Sequence, residues 1–203
     1  MHEVQKTRLR GVKIGTVLTG SHCTIDEVLP QLKLLKEEGA ELFPVFSFVI
    51  DEIDNRFYKV SDLKKMVGEI TDKPIINTIV GAEPIGPQKL LDVVIIAPAT
   101  GNTIAKLANG IADTPALMAA KAQLRNQRPV VIAISTNDAL SLNAKNIGTL
   151  LAMKNIFFVP FRQDNPLEKA NSIVAAMEKI PDTIIQALQG KQLQPILLGP
   201  TNS

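Results

Sequence analysis

The sequence predicts one α/β domain in which helices cover both faces of a parallel sheet. Two runs, 93–97 (VVIIA) and 130–135 (VVIAIS), are almost continuously apolar, as expected of strands that are buried on both faces. Segments with helical periodicity separate these runs from other β-rich runs, and this alternation predicts a parallel sheet. The length of 203 residues suits a single domain, which we expect to span 1–203.

The first strand and helix follow from residue type and spacing. The β-rich run 13–19 (KIGTVLT) predicts a strand. Apolar residues at helical spacing then predict a helix that starts at 25 and ends at Gly39. Thr24, followed three residues later by Glu27, predicts a capping box at the start of this helix.

The next stretch is less regular. The run 42–48 predicts a second strand, and Pro44 indicates that this strand lies at an edge of the sheet. Residues 61–68 predict a short helix, while 75–80 fit a helix or a strand equally well. Residues 81–90 (GAEPIGPQKL) are expected to form a mobile loop.

After the strand at 93–97, helical periodicity predicts helices at 103–112 and 115–126, the latter with Pro115 at its first position. The apolar stretch 117–122 looks exposed and predicts a homo-oligomer. The remaining predictions are a helix at 144–153, a strand at 156–159 and a closing helix at 173–188.

Composition excludes several classes of function. The chain has 22 basic and 20 acidic residues, a balance that gives no electrostatic argument for nucleic acid. A single cysteine fits a reducing compartment, and neither a signal peptide nor a membrane-spanning run is recognisable, so we expect a cytoplasmic protein. Two His and one Cys without ligand-like spacing predict that there is no metal site.

The turn after the first strand, Thr19-Gly20-Ser21-His22, can bind an anion. Gly20 allows a tight turn, the Ser21 hydroxyl can donate, and the following helix start adds free N–H groups and a partial positive charge. These features suit a phosphate, although an ordinary capped turn explains them equally well. His22 is either a general acid–base group or a polar residue without a catalytic role. Cys23 is expected to be buried and inert, the default for a lone cysteine.

Two more strand ends carry polar residues. Segment 98–103 (PATGNT) follows the most buried strand, and its small polar residues suit contact with a flat ring. Lys106 lies one helical turn beyond Asn102, although a capped helix start with a solvated Lys has the same pattern. Segment 135–138 (STND) follows the second buried strand and fits an Asx turn equally well. Ligands of open α/β sheets bind at such carboxyl ends.

Two of these motifs resemble the flavoprotein family of FMN-dependent decarboxylases and prenyltransferases. LTGSHCT at 18–24 is similar to the Gly-Ser loop of that family, and APATGNTIAKLANGIADTP at 97–115 is similar to its Pro-x-Ser/Thr-x-Asn-Thr loop. The similarity runs from about Gly11 to Leu198. It implies a flavodoxin-like Rossmann sandwich with bound flavin. It implies that Gly20 and Ser21 contact the phosphate, that Ser47 near the second strand contacts the flavin, and that Thr100, Gly101, Asn102 and Thr103 lie against the isoalloxazine ring. Thr19 and Ser135 are also expected to bind the cofactor.

The chain departs from the decarboxylase pattern at the positions that matter for that chemistry. Pro84 stands where family decarboxylases carry a His, and 134–137 (ISTN) replaces their Pro-Ala-Met-Asn segment. Their Cys-bearing lid near the C-terminus is not recognisable. These departures disfavour decarboxylation or prenyl transfer, which stays the alternative function.

Within the family, the chain is similar to a branch that works in sporulating bacteria. The similarity lies in six segments that occur in the same order: LTGSHCT, NTIAKLAN, LMAAKA, ISTNDALSLN, KNIFFVPF and QLQPIL. This resemblance implies a role, in the mother cell, in oxidising dihydrodipicolinate to pyridine-2,6-dicarboxylate. It also implies a nicotinamide-type dehydrogenase as the partner subunit and a trimeric or dodecameric assembly. FMN, or alternatively NADP, would accept the hydride. We expect Asn102, Lys106 and Asn137 to bind the substrate carboxylates, because a dianion needs cationic and amide donors. A non-catalytic role as an assembly partner is the third possibility.

Overall fold

A seven-stranded sheet forms the centre of the structure, a computed structural model that describes residues 7–199. The strands are β1 (Lys13–Leu18), β2 (Glu41–Phe46), β3 (Val93–Ala99), β4 (Val130–Thr136), β5 (Ile156–Phe158), β6 (Phe161–Gln163) and β7 (Ile173–Ala175). The helices are α1 (Ile25–Glu37), α2 (Phe48–Glu52), α3 (Val60–Thr71), α4 (Ile79–Ala82), α5 (Gly101–Ala108), α6 (Pro115–Arg125), α7 (Ala144–Leu151) and α8 (Ile180–Leu188). Three short 3-10 turns lie at His22–Thr24, Glu83–Ile85 and Met177–Lys179.

The sheet confirms the predicted fold class. Strands β2, β1, β3, β4 and β5 lie side by side in that order and are parallel, which is the doubly wound order of flavodoxin-like folds. Strand β3 is buried at every position, as its apolar sequence predicts. Strand β2 lies at the edge of the sheet, where Pro44 is tolerated because no ladder hydrogen bond is lost.

The sheet is not parallel throughout. The first residues of β4 pair with β5, but Ser135 and Thr136 at its end pair in antiparallel register with β7, and β7 pairs with β6. The prediction of one closing helix over 173–188 is therefore wrong in its first part. Apolar residues there also fit helical spacing, but β7 hydrogen-bonds to the open end of β4. Helix α8 starts only at Ile180, where Pro181 occupies the first turn.

Several predicted boundaries shift for local reasons. Helix α5 starts at Gly101 because the Thr100 hydroxyl accepts from the Thr103 N–H, and it ends at Ala108. Segment 75–80 is extended at its start, and α4 begins at Ile79. The expected loop at 81–90 instead contains the end of α4 and a 3-10 turn.

The apolar stretch 117–122 is not exposed, so the sequence argument for an oligomer fails at this point. Leu117, Ala119, Ala120 and Ala122 are buried within the chain because α6 packs against the central sheet. The core is otherwise continuous on both sides of β1, β3 and β4. Within residues 7–199, no helix is long and apolar enough to cross a membrane.

Candidate functional site

A cavity of about 860 Å³ opens at the carboxyl ends of β1 and β4. The turn 20–24 after β1 and segment 135–138 at the end of β4 form two of its walls. The loop after α2 and the start of β7 close the other sides. A cavity of this size and position suits a small-molecule ligand.

Thr19 joins the turn after β1 to the turn after β3. Its side chain is buried, and its hydroxyl donates to the Pro98 carbonyl at 2.6 Å while it accepts from the Thr100 N–H at 3.1 Å. The hydroxyl proton and one acceptor position are therefore used within the protein. Thr19, expected to bind the cofactor, holds the two turns together in this structure.

Ser21 joins the same turn to β4. Its hydroxyl donates to the Ser135 carbonyl at 2.6 Å, so an anion that accepts from Ser21 has to replace this bond. The predicted capping box at Thr24 is wrong for a related reason. The Thr24 hydroxyl donates to the Ser21 carbonyl at 3.1 Å and lies 3.1 Å from the Ser135 hydroxyl instead of capping α1.

Gly101 and the segment after β4 form one packed unit. A Cβ atom on Gly101 would lie 2.5 Å from Asp138 Oδ1, 2.7 Å from Asn143 Nδ2 and 2.8 Å from Thr136 Oγ1. Those side chains hydrogen-bond to one another, because Thr136 Oγ1 and Asn143 Nδ2 donate to the Asp138 carboxylate at 2.6 and 2.9 Å. Both motifs, PATGNT and STND, thus meet at the start of α5.

Ser47 at the start of α2 and Gly20 in the turn after β1 are the next two residues that the resemblance assigns to the flavin. The Ser47 hydroxyl is buried and has no hydrogen-bond partner among residues 7–199, which is costly unless a ligand supplies one. A Cβ on Gly20 would lie 3.1 Å from Val49 Cγ1 and 3.9 Å from Thr100 Cγ2, so a side chain at this position would press on Val49. The exposed side chains of Phe48, Val49 and Ile53 add apolar surface beside this position. An apolar surface with an unpaired hydroxyl suits a ring system with polar edges, such as a flavin.

Only one of the three predicted substrate residues reaches the cavity. Asn137 lines it, and its Oδ1 accepts from the Ser172 hydroxyl at 3.2 Å. Asn102 is exposed on α5 outside the cavity wall. Lys106 also lies outside the wall, and its Nζ forms an ion pair with Asp113 Oδ2 at 2.7 Å. Any contact of Asn102 or Lys106 with a substrate therefore stays a prediction.

The loop between α2 and α3 contributes residues that sequence reasoning missed. Arg56 and Phe57 on this loop line the cavity beside His22. Cys23 also lines it and is exposed, so the prediction of a buried cysteine is wrong; the 3-10 turn buries Thr24 instead. The sequence NRF at 55–57 carries a cation beside an aromatic ring, a signal that could have marked this loop.

Glu27 brings an acidic group to the cavity rim. Partial burial, together with the negative charges of Glu178 and Asp164, raises the pKa of the Glu27 carboxyl above its ordinary value. Folding therefore makes the ionised form of Glu27 less favourable than it is in the unfolded chain. The contribution of Glu27 to stability is present below the unfolded pKa and is lost as the pH rises through the folded pKa.

We expect the Glu27→Gln variant to be modestly more stable than the wild type at pH 7, because the amide stays neutral. The gain should disappear below about pH 4, where the wild-type carboxyl is also protonated. Thermal unfolding between about pH 3.5 and 7.5 measures this, with Glu52→Gln on the exposed end of α2 as the control. A gain that persists unchanged at low pH would contradict the assignment.

Comparison with known proteins adds three findings. Residues 2–192 match the family model Flavoprotein. The B-type subunit of dipicolinate synthase from Bacillus subtilis (strain 168) is 52% identical over 190 residues, which cover 94% of this chain and 95% of that protein. The crystal structure of the B-type dipicolinate synthase subunit from Bacillus halodurans matches with a TM-score of 0.88 and 50% identity, over 95% of this chain and 99% of that one.

A more distant solved structure shares the fold. The Burkholderia xenovorans protein DmrB in complex with FMN, a cubic protein cage for redox transfer, matches with a TM-score of 0.62 and 18% identity. The match covers 88% of this chain and 96% of that chain.

Proposed function

Because the chain belongs to the flavoprotein family, we propose that it is the flavin-binding subunit of an enzyme that forms dipicolinate, pyridine-2,6-dicarboxylate. The observation that carries this proposal is the similarity to the B-type subunit of dipicolinate synthase over nearly the whole chain. The unpaired Ser47 hydroxyl supports a flavin on independent, structural grounds.

The proposed reaction is the oxidation of dihydrodipicolinate. The dihydropyridine ring loses a hydride and a proton, and the aromatic ring that results provides the driving force. Bound FMN would supply an acceptor for the hydride, and NADP is the alternative acceptor. The reaction forms no carbon–carbon single bond and removes no carboxyl group. It therefore agrees with Pro84 at the position where family decarboxylases carry a His.

The residues of this chain would bind and orient the reactants. The backbone of the turn at Gly20 and Ser21 would hold the flavin phosphate, and Ser47 would donate to the flavin. The loop 100–103 would lie against the ring, with Thr100 and Gly101 fixed by the hydrogen bonds and packing described above. Asn137 in the cavity wall would donate its amide to the substrate.

The proposal includes a partner. The similar proteins are each named as one subunit of a synthase, and we propose that this chain acts with a dehydrogenase-like A-type subunit in the mother cell of a sporulating bacterium. DmrB forms a cage, and a homo-oligomer of three or more chains remains our prediction for this protein.

The first test concerns the flavin. We expect the purified chain to bind FMN, because the turn at Gly20 and Ser21 lines the cavity and leads into a helix start, whose partial positive charge attracts a phosphate. Ser21→Asp should abolish this binding, since a carboxylate there repels the phosphate. Flavin fluorescence during an FMN titration measures binding, and Ser61→Asp on the exposed start of α3 is the matched control. Equal FMN affinity in Ser21→Asp and wild type would mean that the flavin phosphate binds at another place.

The second test concerns the reaction. Ultraviolet absorbance follows dipicolinate formation with this chain alone, with the dehydrogenase-like partner alone and with both together. We expect product only from the mixture. Full activity of the partner alone would reject a catalytic role and favour an assembly role. Release of carbon dioxide from a carboxylate substrate would instead favour the decarboxylase alternative.

A further inference from the structure

The loop after α2 fixes the orientation of the Asn55 amide. The Asn55 Oδ1 accepts from the Phe57 N–H at 2.8 Å and from the Tyr58 N–H at 3.1 Å. An amide has only one oxygen, so these two backbone donors leave the Asn55 nitrogen on the other side. That nitrogen lies 2.9 Å from His22 Nδ1.

The Asn55 amide in turn selects one form of His22. An NH2 group can only donate, so His22 Nδ1 has to accept and carries no proton. The ring proton then lies on Nε2. Partial burial also lowers the pKa of His22, which agrees with a neutral ring. His22 is thus held as a neutral donor in the cavity wall.

Arg56 is the neighbouring cation. Its guanidinium lies 4.8 Å from the centre of the Phe57 ring, which limits its orientation. Among residues 7–199, no carboxylate forms an ion pair or hydrogen bond with Arg56. A planar, pre-oriented guanidinium without a carboxylate partner suits bidentate binding of a carboxylate.

Three other charged groups of the cavity already have partners among the described residues. Lys169 Nζ lies 2.7 Å from Asp164 Oδ2, and the Asp138 carboxylate accepts from Thr136 and Asn143. Partial burial and the neighbouring negative charges raise the pKa of the Glu27 carboxyl, so its ionised form is disfavoured relative to the unfolded chain. In the described cavity wall, His22 and Arg56 therefore offer the donors that suit an acidic ligand.

We propose that His22 and Arg56 together bind one carboxylate of a small planar dicarboxylic acid, and that Asn55 positions His22 for this contact. The proposal rests on the proposed function for the class of ligand. It assigns substrate recognition to the loop after α2 rather than to Asn102 and Lys106. Asn137, which also lines the cavity, is then available to the second carboxylate.

Calorimetric titration of the full chain with pyridine-2,6-dicarboxylate tests the proposal, with and without FMN. We expect Arg56→Gln to weaken binding about 10- to 100-fold, because a charge-assisted contact is lost. Arg125→Gln changes the net charge equally on an exposed position of another groove and should leave binding unchanged. His22→Gln keeps a side-chain N–H donor and should retain more affinity than His22→Phe. Pyridine-2-carboxylate serves as the ligand with a single carboxylate.

Asn55→Asp tests the positioning role separately. The carboxylate still accepts from Phe57 and Tyr58, so the loop is kept, but it also accepts from His22 Nδ1. Nitrogen NMR of the imidazole should show the proton on Nε2 in the wild type and on Nδ1 in the variant. Only His2 and His22 contribute to this spectrum. Binding of the dicarboxylate should fall together with this change.

Two results would overturn the proposal: no binding of the dicarboxylate to the wild type, or equal affinity in Arg56→Gln and wild type. Neither result bears on the activity of the mixed subunits, which tests the proposed function. Conversely, binding through Arg56 without dipicolinate formation would keep this site and reject the reaction.

Discussion

The Thr19→Val variant is expected to lose about 2–4 kcal/mol of unfolding free energy, because a buried carbonyl and a partly buried N–H lose their partner. Valine has nearly the shape of threonine, so packing is preserved. The Pro98 carbonyl loses its 2.6 Å donor, however, and the Thr100 N–H loses its 3.1 Å acceptor. Both groups belong to the turn that leads into α5. Denaturant unfolding of the two proteins measures the difference.

Thr16→Val, three residues earlier on β1, is the matched control. The Thr16 hydroxyl is equally buried but has no hydrogen-bond partner within residues 7–199. Its removal should leave the unfolding free energy unchanged or raise it by up to about 1 kcal/mol. If both variants lose the same stability, the bracing role of Thr19 is wrong. FMN affinity should also fall in Thr19→Val and stay constant in Thr16→Val.

Gly101→Ala is expected to cost about 1–3 kcal/mol, because its methyl group has no room. The three atoms within 2.8 Å belong to hydrogen-bonded side chains that cannot all turn away. Differential scanning calorimetry should show a lower Tm. We also expect weaker FMN binding, since the start of α5 has to move away from β4 to make room for the methyl group.

Gly148→Ala is a control that we expect to stabilise the protein instead of destabilising it. Gly148 lies inside α7, and a Cβ there would meet no atom within 4 Å. Alanine in this helix should therefore stabilise the protein by about 0.5–1 kcal/mol. A loss of stability in Gly148→Ala, or a Gly101→Ala protein as stable as the wild type, would contradict the packing described here.

The sequence predicts the parts of the fold in which one strong pattern dominates. Strands β3 and β4 are continuously apolar, and their predicted ends lie within two residues of the observed ones. The prediction for segment 173–188 is wrong at its start because the apolar residues of β7 also fit a helix, and only the open end of β4 decides between the two. That partner is distant in the sequence, so local periodicity cannot reveal it.

The sequence likewise predicts only part of the candidate site. Gly20, Ser21, Asn137 and the loop at 100–103 stand directly after predicted strands, where a sequence motif is enough to mark them. Arg56 and Asn55 lie on an irregular loop that no periodicity describes. Their relation to His22 depends on two backbone hydrogen bonds that orient one amide, and such geometry becomes visible only in three dimensions.

Strand β4 pairs with β5 at its start and with β7 at its end, and this arrangement also protects the protein against aggregation. Strand β5 covers only residues 130–132 of β4, so the far end of the strand would expose unpaired N–H and C=O groups to other chains. The hairpin of β6 and β7 occupies that edge, and the residues beside it form one wall of the cavity. Substitutions that loosen this wall therefore uncover a sheet edge as well, so solubility restricts how far this side of the cavity can change.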